Sequence, residues 1–164
     1  MQIVRRRHRA LQLHRAGQVT SLPRVLIVED DAAIRGMLTA ALGREALAVD
    51  TAADGVAALE QLAAATYAVI IVDLMMPRMD GYAFLDAFRE LNLPARPLIF
   101  VMTAYDDAAL VKLDGTLVHG YLKKPFDVEQ VVKVVVDAAT ALHAGEAPAI
   151  AAEAPSDDVV RDVC

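Results

Sequence analysis

The segment VIIVDLMMPRMDG, residues 69–81, contains the pattern that decides the fold. Its first four residues are apolar and β-branched, so a strand formed by them must be covered on both faces. The apolar run ends at Asp73, and Pro77 and Asp80-Gly81 then predict a loop that leads into a helix. A strand covered on both faces indicates a parallel sheet between two layers of helices.

The same alternation of apolar run and helical stripe continues along the chain. We expect a fourth helix over 106–113 to be short or irregular, because Gly115 follows closely. Residues 131–136 are rich in valine, but their apolar spacing predicts part of a last helix that begins near Asp127. The pattern as a whole predicts an α/β fold, a doubly wound five-stranded parallel sheet with helices on both faces. The five strands are expected at 25–28, 47–52, 69–72, 97–102 and 118–123.

Composition limits the class of protein. The chain has 164 residues, 56% of them hydrophobic, with a mean hydropathy of +0.38. That length suffices for one sizeable core. The single cysteine, Cys164, excludes a disulfide scaffold and a cysteine-based zinc site. No apolar run approaches the roughly 18–20 residues of a membrane-spanning helix, so we expect a cytoplasmic protein without a membrane span.

The net charge of −6 is unevenly distributed. Residues 1–24 carry +6, residues 25–143 carry −8 and residues 144–164 carry −4. The central block is too acidic for a nucleic-acid surface, because phosphate binding needs positive charge.

These shifts in composition predict three parts. Residues 1–23 form a basic N-terminal arm, residues 24–143 a domain, and residues 144–164 a disordered tail rich in Ala, Pro and acidic residues. The arm is interpreted as disordered or as the product of an upstream start codon. The alternative is an arm that contacts anionic lipid, nucleic acid or a partner. Residues 157–163 of the tail have a second interpretation as a docking peptide.

Polar side chains follow four of the predicted strands. Because parallel strands end at one edge of a sheet, these side chains are expected to meet there. Crowded carboxylates repel one another unless a cation lies among them, and oxygen ligands suit Mg²⁺. A carboxylate can also attack phosphorus, with a metal, an ammonium and a hydroxyl to balance the phosphoryl charge. The residues therefore predict an Mg²⁺-dependent phospho-accepting aspartate without deciding which aspartate. The strand-end residues are Glu29, Asp30, Asp31, Asp73, Thr103 and Lys124.

Four motifs in this order resemble those of a response-regulator receiver domain. They are Glu29-Asp30-Asp31, the segment from Asp73 to Gly81, Met102-Thr103-Ala104 and Lys124-Pro125-Phe126. The resemblance covers about residues 24–143. It implies the flavodoxin-like strand order 2-1-3-4-5, which is the order found in the chemotaxis regulator of this family.

The resemblance also implies a metal site and its ligands. Asp73 corresponds to the phosphoryl acceptor and is itself a ligand of Mg²⁺. Asp30 would bind the ion directly, and Glu29 would bind it mostly through water. The backbone carbonyl of Met75 would be a further ligand. Asp31 is interpreted as a helix cap, with an indirect role beside the metal as the alternative.

Further roles follow from the same resemblance. Thr103 would hydrogen-bond the phosphoryl group and move toward it on activation, and the small Ala104 would leave the group room to enter. Lys124 would pair with a phosphoryl oxygen, and its bond to Pro125 is commonly cis in the family. Tyr121 matches an aromatic switch residue that turns inward when the threonine moves.

The sequence departs from the family at the path of a hydrolytic water. Met75 and Tyr105 flank that path and are bulky, which predicts slow self-hydrolysis of an aspartyl phosphate.

The sequence also departs from the family in the segment 106–119, which lacks the usual alanine-rich helix, and this affects the family's common signalling surface. That surface is formed by the fourth and fifth strands, the segment between them and the last helix, and it is also the expected contact of a weak homodimer.

The predicted function is that of a response regulator in two-component signalling. The donor would be a histidine kinase or a histidine phosphotransfer protein, and the downstream protein target is not identified by the sequence. The domain would act as a single-domain switch or phosphorelay intermediate without DNA-binding output. It would not be an enzyme beyond its own phosphorylation and dephosphorylation. The alternatives are an Mg²⁺-dependent phosphohydrolase and a phosphate-independent scaffold.

Overall fold

The computed structural model describes residues 21–104, 113 and 115–144. Residues 1–20 of the expected arm, the tail after Ala144, Tyr105 and residues 106–112 of the helix expected over 106–113 lie outside the described part of the chain. Of the helices in the described part of the chain, none is long and apolar enough to cross a membrane.

Five strands form one sheet in which every neighbouring pair is parallel. The order is β2-β1-β3-β4-β5, which confirms the predicted doubly wound fold. The strands are β1 (Arg24–Val28), β2 (Ala48–Ala52), β3 (Val69–Asp73), β4 (Leu98–Thr103) and β5 (Gly120–Lys123). The described helices are α1 (Ala32–Leu42), α2 (Gly55–Ala64), α3 (Gly81–Arg89) and α4 (Val128–Ala144).

The core has two layers because successive strand residues point to opposite faces of the sheet. Leu26 and Ile70 belong to the layer under α2 and α3, which contains Phe84. Val25 and Ile71 belong to the layer under α1 and α4. Every residue of β3 is buried, which is why its sequence is apolar at consecutive positions. Burial of each such large side chain stabilises the fold by about 1.5–3 kcal/mol.

The valine-rich segment 131–136 is helical, as its spacing predicted, and α4 begins at Val128, which agrees with the expected start near Asp127. Val131 and Val135 lie one turn apart and are both buried, so packing on the sheet outweighs the β-propensity of valine. The edge strand β5 is shorter than predicted. Val118 is buried in the core, but ladder pairing with β4 begins only at Gly120.

Three helices begin with an aspartate at the carboxyl edge of the sheet. Asp31 accepts hydrogen bonds from the N–H groups of the second and third residues after it, so the structure agrees with its interpretation as a cap. Asp54 caps α2 and Asp80 caps α3 in the same way. Each such cap stabilises its helix by about 1 kcal/mol. The caps place the starts of α1, α2 and α3 around the strand ends.

Candidate functional site

Three carboxylates meet at the carboxyl ends of β1 and β3. Val28 pairs with Val72 across these strands, so the residues that follow them, Glu29 and Asp73, are neighbours. Glu29, Asp30 and Asp73, here called the acidic cluster, each offer an oxygen within 4.8 Å of the others. Glu29 and Asp73 are 0% and 5% exposed, whereas Asp30 is exposed. The cluster therefore has two buried members and one that faces solvent.

Lys124 links the two buried carboxylates. Its Nζ donates to Glu29 Oε2 at 2.8 Å and to Asp73 Oδ2 at 3.0 Å. The backbone N–H of Lys124 donates to the Thr103 carbonyl at 2.7 Å, which fixes the residue just beyond β5. The peptide bond between Lys124 and Pro125 is cis.

The charges of this group are mutually dependent. Burial raises the pKa of Glu29, and the nearby charge of Asp73 raises it further. The hydrogen bond from Lys124 lowers this pKa but does not cancel the increase. Burial acts to lower the pKa of Lys124, but its bonds to Glu29 and Asp73 outweigh that effect, and the pKa is raised. The lysine is therefore an ammonium at neutral pH and partly neutralises the carboxylates.

The donor set of the acidic cluster fits a hard divalent cation. Carboxylate oxygens are the ligands that Mg²⁺ prefers, and the exposed side at Asp30 leaves room for the waters that this ion retains. The carbonyl of Met75, the fourth ligand implied by the resemblance, belongs to the loop directly after β3.

The other predicted site residues lie at the same edge or near it. Thr103 ends β4 and is 3% exposed, next to the exposed Ala104. Tyr121 on β5 pairs with Val101, two residues before Thr103, and 41% of its surface is exposed. Met75 is 58% exposed. The sheet thus places Thr103 at the edge that carries the acidic cluster and brings Lys124 into contact with the cluster, while Tyr121 lies on the outer edge.

The loop between β3 and α3 is anchored close to Asp73. The Gly81 N–H donates to the Leu74 carbonyl at 3.0 Å. A Cβ on Gly81 would lie 2.7 Å from Leu74 Cα and closer still to the Asp73 carbonyl oxygen. Only glycine allows this approach, so Gly81 determines how tightly the loop closes on the strand that carries Asp73.

A second anchor of this loop was not found from the sequence. Arg78 has a left-handed backbone, with φ of 67°, and its guanidinium forms an ion pair with the buried Asp54. Beside it, the Gly55 N–H donates to the Met79 carbonyl at 3.2 Å. Asp54 followed by Gly55 is typical of a helix start, but the sequence carries no signal that would place Arg78 opposite it.

A second feature missed from the sequence is Arg35 on α1. Its Nη1 donates to the carbonyls of Glu29 and Asp30. The signal is its position four residues after the cap Asp31, where a side chain directed back toward the helix start reaches the preceding loop.

Comparison with known proteins supports the resemblance to receiver domains that the sequence motifs indicated. Residues 25–136 match the family model of the response regulator receiver domain. The chain is 34% identical over 140 residues to the DNA-binding transcriptional regulator NtrC of Escherichia coli, covering 84% of this chain and 29% of that protein. It is 38% identical over 112 residues to the response regulator MprA of Mycobacterium ulcerans, covering 66% of this chain and 47% of MprA. The chain thus spans less than half the length of these curated relatives.

Solved structures agree. The chemotaxis response regulator CheY4 of Vibrio cholerae superposes with a TM-score of 0.64 at 31% identity, covering 71% of this chain and 98% of CheY4. Three observations support one family assignment: the family match over most of the described domain, the strand order and the acidic cluster at the sheet edge. The chain belongs to the response regulator receiver domain family.

Proposed function

We propose that Asp73 accepts a phosphoryl group from a phosphohistidine, with Mg²⁺ held by the acidic cluster, and that this modification switches a protein-binding surface. Receiver domains serve two-component signalling, bind Mg²⁺ at an acidic pocket and interact with histidine kinases or phosphotransfer proteins. The observation that carries the proposal is the position of the Asp73 carboxylate. It lies 3.0 Å from an ammonium and shares a cation-sized space with Glu29 and Asp30.

The chemistry follows from these contacts. An Asp73 oxygen attacks phosphorus, an O–P bond forms, and the P–N bond to the donor imidazole breaks as the imidazole leaves. Bound Mg²⁺ supplies positive charge to the phosphoryl oxygens. Lys124 already contacts Asp73 and supplies a second positive charge. The Thr103 hydroxyl, at the end of the neighbouring strand, is the proposed hydrogen-bond donor to the new phosphoryl group.

The proposed readout is the surface formed by β4, β5 and α4. Thr103 ends β4, and Tyr121 is exposed on the edge strand beside it. Movement of Thr103 toward a phosphoryl group would allow Tyr121 to turn inward, which changes the surface offered to a partner. The domain would thereby act as a switch or a phosphorelay intermediate. We propose the same surface for a weak homodimer.

A phosphotransfer assay tests the acceptor. The chain is incubated with Mg²⁺ and either a small phosphodonor such as acetyl phosphate or histidine kinases from the same genome. Formation of a hydroxylamine-labile acyl phosphate is followed by mobility shift and mass spectrometry. Asp73→Asn should abolish it, and chelation of the metal should do the same. Asp31→Asn is the matched control, because Asp31 is an adjacent acid that caps α1, and it should still be labelled.

Two results would overturn the proposal. One is the absence of labelling from every donor, and the other is equal labelling of the wild-type chain and Asp73→Asn. Preserved cellular function of Asp73→Asn would instead favour the scaffold alternative. No observation favours a phosphohydrolase, because the position two residues after Asp73 is Met75 and offers no acid or base.

Slow loss of the phosphoryl group is a further part of the proposal. Met75, two residues after Asp73, is exposed, and we propose that its apolar side chain covers the approach of a hydrolytic water. A phosphorylated, Mg²⁺-loaded domain should therefore keep its label for minutes or longer after removal of the donor. Loss of the label within seconds would refute this part.

A further inference from the structure

An arginine holds the backbone that carries two members of the acidic cluster. Arg35 Nη1 donates to the Glu29 carbonyl at 2.6 Å and to the Asp30 carbonyl at 3.1 Å. Arg35 is half-buried within α1. One cationic donor thus contacts two consecutive peptide planes, and such charge-assisted bonds are roughly twice as strong as neutral ones.

These contacts act where the backbone leaves the sheet. The Glu29 N–H is bonded to the Ala52 carbonyl of β2 at 3.1 Å, which continues the ladder between β1 and β2. Beyond this point Arg35 supplies the donor for the Glu29 and Asp30 carbonyls. The direction of a side chain depends on the orientation of its peptide planes. The contact from Arg35 therefore bears directly on where the two carboxylates point.

We propose that Arg35 is a positioning residue for the divalent-cation site, which it supports by fixing the backbone of Glu29 and Asp30 so that their carboxylates converge with Asp73. This inference rests on the proposed function, since it takes the acidic cluster as the place where Mg²⁺ binds. Arg35 would act through the backbone of the ligands and not by contact with the ion. Loss of comparable supporting contacts in metal sites costs about 10–100-fold in affinity.

A simple charge effect would have the opposite sign. A guanidinium close to the site repels a cation, so removal of its charge alone would tighten cation binding. Loss of positioning would weaken it. The direction of the change in affinity therefore separates the two effects.

The experiment measures Mn²⁺ binding to the full chain by electron paramagnetic resonance, with Mg²⁺ as competitor. This readout needs neither a phosphodonor nor phosphotransfer activity. Arg35→Met keeps the aliphatic stem and should weaken Mn²⁺ binding about tenfold. Arg35→Lys keeps a charged donor and should bind more tightly than Arg35→Met. Arg44→Met is the matched control, because Arg44 is an exposed arginine just after the same helix, and it should bind like the wild type.

The outcomes separate this inference from the proposed function. A wild-type chain that binds neither Mn²⁺ nor Mg²⁺ would overturn both. Normal wild-type binding together with unchanged or tighter binding by Arg35→Met would overturn only the role of Arg35. Equal affinities of Arg35→Lys and Arg35→Met would also overturn it. Thermal unfolding without metal shows that each variant is folded, and Arg35→Lys provides the test if Arg35→Met is not.

Discussion

Gly81→Ala should destabilise the domain, whereas the same change from glycine to alanine at position 36, within α1, should stabilise it. The added Cβ would lie 2.7 Å from Leu74 Cα and closer to the Asp73 carbonyl oxygen. Both neighbours are backbone atoms of the strand end and loop, so no flexible side chain can move aside. Overpacking of this kind costs about 1–3 kcal/mol, and the higher helix propensity of alanine returns at most about 1 kcal/mol. Because both close neighbours are backbone atoms, the upper part of that range, about 2–3 kcal/mol, applies, and we expect a net loss of about 1–2 kcal/mol.

Gly36→Ala is the matched comparison. Gly36 lies within α1, and a Cβ there would meet nothing within 4 Å. It should therefore gain about 0.5–1 kcal/mol from helix propensity alone. Both free energies of unfolding are measured by urea titration with circular dichroism. In thermal unfolding, 1 kcal/mol corresponds to a shift of about 4 °C for a domain of this size. Equal stabilities of Gly81→Ala and the wild type would refute the argument from close approach.

Three further substitutions test the surroundings of the site. Asp54→Ala removes the cap of α2 and the partner of Arg78, and should lower the free energy of unfolding by about 1–2 kcal/mol; unchanged urea denaturation would contradict this. Lys124→Met leaves two buried carboxylates without their ammonium, so the melting temperature without metal should fall and Mg²⁺ should raise it more than in the wild type. An unchanged response to Mg²⁺ would count against it. Burial lowers the pKa of His119 from its usual 6.5, and the His119 Nδ1 accepts a hydrogen bond from the Ile99 N–H. The imidazole therefore becomes protonated at a higher pH in the unfolded chain than in the folded one. The free energy of unfolding should fall as the pH drops below about 6.5. His119→Asn, which keeps an acceptor, should lose stability less steeply between about pH 7 and pH 5.5, and equal slopes would refute the role of His119.

The strands and the sheet edge were accessible from the sequence, whereas the contacts around them were not. The run 69–72 is short and β-branched, which indicated a strand covered on both faces, and an apolar run that ends in Asp73 places that residue at the edge. The bond from Lys124 to Glu29 joins the ends of β5 and β1, which are separated in the sheet by the two strands β4 and β3, and no local pattern encodes it. The left-handed backbone of Arg78 is equally hidden, because arginine has no preference for it.

Other differences and agreements between the predicted and observed elements also depend on where a residue lies in the fold. The valines of α4 favour strands by themselves. Only the helical spacing of the apolar positions indicated a helix, and residues at this spacing are buried. The ladder of β5 starts only at Gly120, two residues later than predicted, which reflects the edge position of β5, with β4 as its one neighbour in the described sheet. The spacing of apolar residues therefore predicted element type well and element ends less well.

The bond from Lys124 to Glu29 joins residues 95 positions apart in the chain. Contacts of such long separation require that the intervening loop be closed, so they form late when a chain folds. A chain in which β5 has not yet docked has Asp73 without its ammonium. If Asp73 is the phosphoryl acceptor, as proposed, the domain becomes competent for phosphorylation only when its fold is complete, and a phosphoryl group on Asp73 would then mark a domain that has finished folding.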